Sequence, residues 1–456
     1  MTAAPQWWDA PSACGPLDSL VKLPGSKSQT NRALILGAIA AAPLTLQDPL
    51  MSRDSVLAAR ALEQLGATFT SAEPGQLTIN PVKIPQLQGT IDCGLAGTVM
   101  RFVPAVAAFG TGTVTFDGDP QAYSRPVSPL LDALQQLGAT VEYLGRPGRL
   151  PFRLTGLGAA NEASTLPLRV QIDSSQSSQY LSALLLAAPL AAQSFTVMPA
   201  GATPSAAHIE MTVQMLEDVG VAVTHTHGGD YLVAAQRPTG TTLRIEPDLS
   251  NAGPFLAAPL ITGGQVTVSD WPNETTQAGD AWRVILPQFG AQITQHGHDL
   301  RVSAPGRAND GWDGVDLDLG RVGELAPTVA ALCLLAKTPS QLRGIGHLRG
   351  HETDRLAALV TQIRLAGGNA TETADGIIIE PGPLQPTDFD SYHDHRMATF
   401  GALVGLAVAG CRVNNIETTA KTLPDFPQRW KAMLENQVPP PMPSLAGALG
   451  YESRQV

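Results

Sequence analysis

Cysteine is scarce in this chain. Only Cys14, Cys93, Cys333 and Cys411 occur in 456 residues, and no CxxC pair is among them. That spacing excludes a disulfide framework and a structural zinc site, and it fits a reduced, cytoplasmic setting. Aromatic residues make up 5% and charged residues 15%, against 43% hydrophobic. The cores must therefore be built from Ala, Leu and Val, and there is too little charge for a disordered chain. Long apolar runs are missing. LSALLLAAPLAA, from Leu181 to Ala192, is among the longest, and it is too short for a bilayer and contains proline. The opening MTAAPQWWDAPSACG has no cationic stretch leading into an apolar core, so no secretion signal is expected. Positive charge is also in deficit, with 29 basic against 40 acidic residues and a net charge of -11. Nucleic acid and anionic membrane are therefore not expected as partners, because both reward a basic face. A few cations gathered at one site could still bind a small anion.

What the chain does have is repetition. Apolar segments of helical length, each preceded by polar residues or glycine, begin near Ser28, Gly97, Ser178, Asn251, Glu324 and His395. Their starts lie about 70 to 80 residues apart. A second pattern runs between them: LAARALEQLGATFT, LLDALQQLGATVEY, VQMLEDVGVAVTH, VILPQFGAQITQH and LVTQIRLAGGNATE. In each, an amphipathic helix stops at a glycine, where a left-handed cap is wanted, and an alternating strand follows. With the short strands after them, these segments predict about six β-α-β-α-β-β units. Buried helices packed inside sheets, in two similar globular halves, are the expected arrangement.

The chemistry concentrates at the N-terminal ends of the six apolar helices. Such ends carry unpaired N–H groups and partial positive charge, so they suit anions. Lys27, Ser28 and Arg32 lie at the first, Gly97, Thr98 and Arg101 at the second, and Ser177, Ser178 and Gln179 at the third. Ser250 and Asn251 open the fourth, Glu324 the fifth, and His395 and Arg396 the sixth. Loops add Arg125, Arg349, His351, Glu352, Arg355 and Lys421. This is mostly an inventory of phosphate and carboxylate binders, and the helix ends are expected to face one shared anion-binding cleft. GSKS is not a nucleotide phosphate loop, which needs GxxxxGK[ST]. HETDRL also reads as an ordinary helix start, capped by Thr353 or Glu352 with Arg355 paired along the helix. HDHR could supply two imidazoles to a metal, but no third ligand at suitable spacing is evident.

LPGSKSQTNR, GLAGTVMR, SRP, SSQYLSALL, RGHETDRL, DHRMA and KTLPDFP occur in that order. The chain in this respect resembles the 5-enolpyruvylshikimate-3-phosphate synthase family, over about residues 20 to 435. The resemblance implies the inside-out α/β barrel fold of two similar domains, each from three βαβαββ units. It places one domain at 25–246, a discontinuous one at 1–24 plus 247–440, and a loosely attached Pro-rich tail at 441–456. It implies enolpyruvyl transfer from phosphoenolpyruvate to shikimate 3-phosphate by a monomer, with no cofactor and no metal. By matching positions, Lys27, Gly97, Arg125, Gln179, Arg355, Arg396 and Lys421 should surround phosphoenolpyruvate. Lys27, Ser28, Arg32, Ser177, Ser178, Gln179, Ser205, Glu324 and His351 should hold shikimate 3-phosphate. Glu324, His351 and Lys27 take the catalytic roles, with Glu324 as general base. Glu324 stands where Asp is commoner, His351 where Lys is, His208 where Tyr is, and His347 where Asn is. Gly97 keeps space beside phosphoenolpyruvate, which implies sensitivity to glyphosate. The related transferase acting on UDP-N-acetylglucosamine uses a loop cysteine, and FDGDPQAYSRP has none. A non-catalytic scaffold would not need these converging cations, and the acidic net charge weighs against an RNA-end-processing relative.

Overall fold

The computed structural model describes residues 6–12, 15–201, 203–306, 311–438 and 440–451, so Cys14 lies outside the described residues. The chain divides into two compact units. The first is Gly25–Ile245 with Pro443–Val456, and the second is Met1–Pro24 with Glu246–Met442.

Each unit is a threefold repetition of one motif. In its clearest copy, strand Leu168–Asp173 leads to helix Ser178–Ala187, then strand Phe195–Ala200, helix Ala206–Asp218, and strands Val223–His225 and Tyr231–Val233. The resulting sheet joins a parallel pair to an antiparallel hairpin: Val170 lies opposite Val197, and Val197 opposite Tyr231. Closure of each unit borrows a distant strand. In the first, Thr242–Arg244 runs parallel to Leu44–Gln47, with Leu243 opposite Leu46. In the second, Leu17–Val21 runs parallel to Gly264–Val268, with Ser19 opposite Val266. Trp7–Asp9 adds an antiparallel strand to Arg412–Asn414.

The Ala/Leu segments fold as helices inside their units because they are apolar on every face. Ala33, Leu34, Ile35 and Leu36 on helix Lys27–Ala38 are at most 1% exposed, as are Ala183 through Ala188 on the third helix. The sheets cover them with one apolar face, as the alternation in Leu17–Val21 shows. The segments end as their sequences predict, at left-handed glycines: Gly66, Gly138, Gly220, Gly290 and Gly367 all have φ between +82° and +108°. At those angles a Cβ would be strained.

Two expectations fail. VILPQFG is not one amphipathic helix. Only Trp282–Ile285 is α-helical, and Leu286–Phe289 tightens to a 3-10 turn at Pro287, which has no N–H to continue the ladder. The tail is not loosely attached. Leu50 bridges Ser444, and helix Leu445–Leu449 puts Leu445, Ala446 and Leu449 into the core of the first unit. The Tyr451 hydroxyl bonds the Glu63 carboxylate, and Arg60 Nη2 donates to the Leu449 carbonyl. Three apolar residues at helical spacing outweigh the proline-rich approach. Residues 452–456 lie outside the described residues.

Candidate active site

In the first unit, Ser26 caps helix Lys27–Ala38, its Oγ accepting from the Gln29 N–H at 3.4 Å. The first turn contains no acid, so its N–H groups and Lys27 both bring positive charge to the helix start. Arg32 is 2% exposed. Its Nε donates to Thr212 Oγ1 (2.8 Å), Nη1 to the Ser28 carbonyl (3.0 Å), and Nη2 to Ser182 Oγ (3.2 Å) and the His208 carbonyl (3.1 Å). Three helices thus fix one cation and, through Ser28, the start of the first helix. Ser177 caps helix Ser178–Ala187 by accepting from the Gln179 N–H. Ser205 opens helix Ala206–Asp218 at φ +54°, ψ +54°, a left-handed conformation that costs a residue with a side chain about 1 kcal/mol.

Helix Gly97–Ala107 also starts without an acid, and two arginines lie against that start. A Cβ on Gly97 would sit 2.7 Å from Arg125 Nη2 and 3.1 Å from Arg101 Nη1. The protein's own guanidinium groups, apart from any ligand, thus fill the space a side chain would enter, and a Cβ would push the flexible end of Arg125 aside. Arg125 Nη1 donates to the Leu95 carbonyl at 2.9 Å, while its Nε and that of Arg101 are buried with no partner among the described residues.

In the second unit, Glu324 sits on the 3-10 turn Gly323–Leu325 that leads into helix Ala326–Leu334. Ser250 Oγ–H donates to its Oε1 at 2.7 Å, and Arg396 Nη2 lies 3.5 Å from Oε2. Arg396 Nη1 in turn donates to the Ser250 carbonyl at 2.7 Å, tying the fourth and sixth helix starts together. Asn251 extends the tie by donating to the Thr422 carbonyl, next to Lys421.

Beside this group is a buried ionic network that the sequence did not reveal. Asp394 caps helix His395–Ala407 by accepting from the Arg396 N–H (2.8 Å) and takes both arms of Arg355 (2.7 and 3.2 Å). Glu352 accepts from Lys421 Nζ at 2.6 Å and from His395 Nδ1 at 3.0 Å. Burial alone would raise the Glu352 pKa. Lys421 first, then His395 and Arg355, overcome this and hold the carboxyl well below its ordinary range. Burial lowers His395 from 6.5 to about 4, so it is neutral at pH 7 and donates its Nδ1–H to Glu352. The helix that Arg355 starts is capped by Asp354, not Thr353 or Glu352, and Arg355 pairs with Asp394 instead of along its own helix. Ligand atoms of Glu352, Asp394 and His395 lie within 4.8 Å of one another, but Arg355 and Lys421 already occupy the two carboxylates. The other imidazole of HDHR, on His393, is exposed and bonds Asn415.

His351 ends the 3-10 turn Gly346–Gly350, and its ring centroid is 5.8 Å from that of His347. His347 packs its Nε2 edge against Gly323, directly before Glu324. Burial, and beyond it Arg355, lowers the His347 pKa, so this ring too is neutral at pH 7.

The structure therefore gathers Lys27, Ser28 and Arg32, and Gly97 with Arg125, at helix starts of the first unit. Ser177, Ser178 and Gln179 open another, as does Ser205. It gathers Glu324, Arg355, Arg396 and Lys421 in the second unit, with His351 nearby. Sequence reasoning left out Asp394, read His395 only as a helix start or a possible metal ligand, and used Glu352 only as a possible cap. The one available signal was that RGHETDR and DHRMA both mix acids with arginines.

Residues 11–430 match the family model described as EPSP synthase (3-phosphoshikimate 1-carboxyvinyltransferase). A 3-phosphoshikimate 1-carboxyvinyltransferase of Kocuria rhizophila is 50% identical over 444 residues, covering 94% of this chain and 97% of that protein. Two solved structures of EPSP synthase from Acinetobacter baumannii share the fold at 23% identity, with TM-scores of 0.75 and 0.72. Each comparison covers 94% of this chain and 98% of the other.

Proposed function

Because the chain belongs to the EPSP synthase family, we infer that it transfers the enolpyruvyl group of phosphoenolpyruvate to the 5-hydroxyl of shikimate 3-phosphate, releasing phosphate. Protonation of the enol carbon makes its neighbour electrophilic, the hydroxyl adds, and phosphate leaves the tetrahedral intermediate. The protein has to bind several anionic groups, take a proton from the hydroxyl and give one to the methylene carbon.

The observation that carries the assignment of roles is the frame around Glu324. One carboxylate oxygen accepts from Ser250 and the other lies near Arg396, so the group is held in an orientation from which it can accept the hydroxyl proton. Shikimate 3-phosphate is assigned to Lys27, Ser28, Arg32, Ser177, Ser178, Gln179 and Ser205 of the first unit, and to Glu324 and His351 of the second. Phosphoenolpyruvate is assigned to Lys27, Gly97, Arg125 and Gln179, and to Arg355, Arg396 and Lys421. Asp394 and Glu352 hold Arg355 and Lys421 in fixed positions, so these cations need no reorganisation when charge develops. His351 contributes an imidazole, which unlike a lysine can both donate and accept a hydrogen bond.

The same reading makes the protein a cytoplasmic monomer, and the net charge of -11 disfavours polyanionic partners. It also includes glyphosate competing with phosphoenolpyruvate, since a glycine at position 97 leaves space where a larger side chain would crowd phosphoenolpyruvate. The test is phosphate release from phosphoenolpyruvate with shikimate 3-phosphate or UDP-N-acetylglucosamine as acceptor. Release with the first alone is expected, and release only with the second would refute the assignment.

A further inference from the structure

We propose that Arg101 is a positioning residue for this transfer: it locks the Gln179 carboxamide so that the amide's N–H end, and not its oxygen, is offered to the anionic substrates. The inference rests on the reaction inferred above. Arg101 lies one turn into helix Gly97–Ala107 and is 4% exposed. Its Nη1 donates to Gln179 Oε1 at 2.5 Å, and its Nη2 to the Pro126 carbonyl at 3.4 Å. The Tyr180 hydroxyl donates to the same Pro126 carbonyl at 2.8 Å, and the guanidinium lies over the Tyr180 ring, 5.1 Å from its centroid.

A guanidinium carries only donors, so the amide atom facing it has to be oxygen. A glutamine without that partner can rotate its amide by half a turn at little cost. In that orientation its oxygen would confront a phosphate or carboxylate, and a favourable contact would become a repulsive one. Arg101 removes that orientation. The helix starts then present donors throughout: the Gln179 amide, the N–H groups of the first turns, and the heads of Lys27 and Arg125.

The arrangement is costly without an anion, which argues for function over packing. Arg101 and Arg125 both crowd the site of the missing Gly97 Cβ, and no carboxylate pairs with either among the described residues. Burial, and next Arg125, pulls the Arg101 guanidinium down to about 10, so it stays charged at pH 7. A purely structural helix residue in this place could be apolar at no such cost.

The test is a double-mutant cycle on the full-length enzyme, using Arg101→Met, Arg101→Lys, Gln179→Ala and the two combined variants. Initial rates of phosphate release give kcat and both KM values, and thermal melts check folding. Arg101→Met is expected to lower kcat/KM by about 30-fold with Gln179 present and by less than about 3-fold in the Gln179→Ala background. Arg101→Lys keeps the charge but not the forked geometry, so it is expected to lose nearly as much. Equal losses in both backgrounds would overturn the proposal, as would full activity of Arg101→Lys. If Arg101→Met fails to fold, the lysine cycle decides by the same criterion. A wild-type enzyme that releases no phosphate from these substrates would overturn the reaction, and this role with it.

Discussion

Lowering the pH from 7 to 5 is expected to weaken the second unit by about 2 kcal/mol through one side chain, His395. In the folded unit its pKa falls from 6.5 to about 4, chiefly by burial. Between those values the unfolded chain binds a proton that the folded chain refuses, so stability rises with pH there and is lost on acidification. At pH 5 the lost contribution is about 1.5 pH units at 1.36 kcal/mol per unit, or about 2 kcal/mol, and almost none is lost at pH 7. Glu352 does not offset this loss. Its carboxyl is held well below the ordinary range, so its own contribution is kept until the pH falls through and below the ordinary carboxyl range. The six tryptophans, at 7, 8, 271, 282, 312 and 430, all belong to the second unit, so indole fluorescence follows that unit alone. Urea unfolding at several pH values should show the loss in the wild type. In His395→Asn, which can still donate to Glu352 but cannot titrate, the loss should be smaller by about the 2 kcal/mol assigned to His395, and what remains should include that of His347, whose pKa burial also lowers. The same fall between pH 7 and 5 in both proteins would refute the reasoning.

Glu324→Gln is expected to bind both substrates with little change and to lower kcat by roughly 10²–10⁴-fold, since only the proton acceptor is removed; steady-state phosphate release measures both. Gly97→Ala should displace Arg125 from the Leu95 carbonyl and raise the KM for phosphoenolpyruvate by about 10-fold, the value of one charge-assisted hydrogen bond at its low end. A smaller rise for shikimate 3-phosphate is the accompanying expectation from the same kinetics. Leu449→Ala should destabilise the first unit by roughly 2–4 kcal/mol, as a buried leucine truncation does. The expected signature is a lowered transition by circular dichroism or calorimetry with the tryptophan transition unmoved.

The repeat was legible because its signals are local. An apolar run announces a buried helix, and glycines such as Gly66 and Gly138 announce their own left-handed caps. The candidate cations were legible because they sit at those helix starts. The ionic network was not. Arg355 and Asp394 are 39 residues apart and Glu352 and Lys421 are 69 apart, and nothing in HETDR says that its arginine looks outward for a partner. Glu352 read as a capping residue for the same reason: the local and distant uses of a carboxylate look identical in sequence. The tail was misjudged because proline content outweighed Leu445, Ala446 and Leu449 in the reading, whereas in the structure burial decides. The last amphipathic helix, Phe426–Leu434, escaped notice because Asn436, at φ +52°, takes the place its relatives give to glycine.

The borrowed strands set an order of events on the ribosome. Leu17–Val21 emerges early, yet its partner Gly264–Val268 is made some 240 residues later, roughly 10–50 s at ordinary elongation rates. During that wait the first unit can assemble its sheets, because its own closing strand, Thr242–Arg244, comes at its end. The N-terminal strand meanwhile lacks that partner, and an unpaired strand edge is a hazard for misassociation. Last to appear is helix Leu445–Leu449, which fills the core of the unit begun first. A chain released before residue 445 would therefore carry an open apolar seam in its earliest-folded part, where Leu445, Ala446 and Leu449 would otherwise pack.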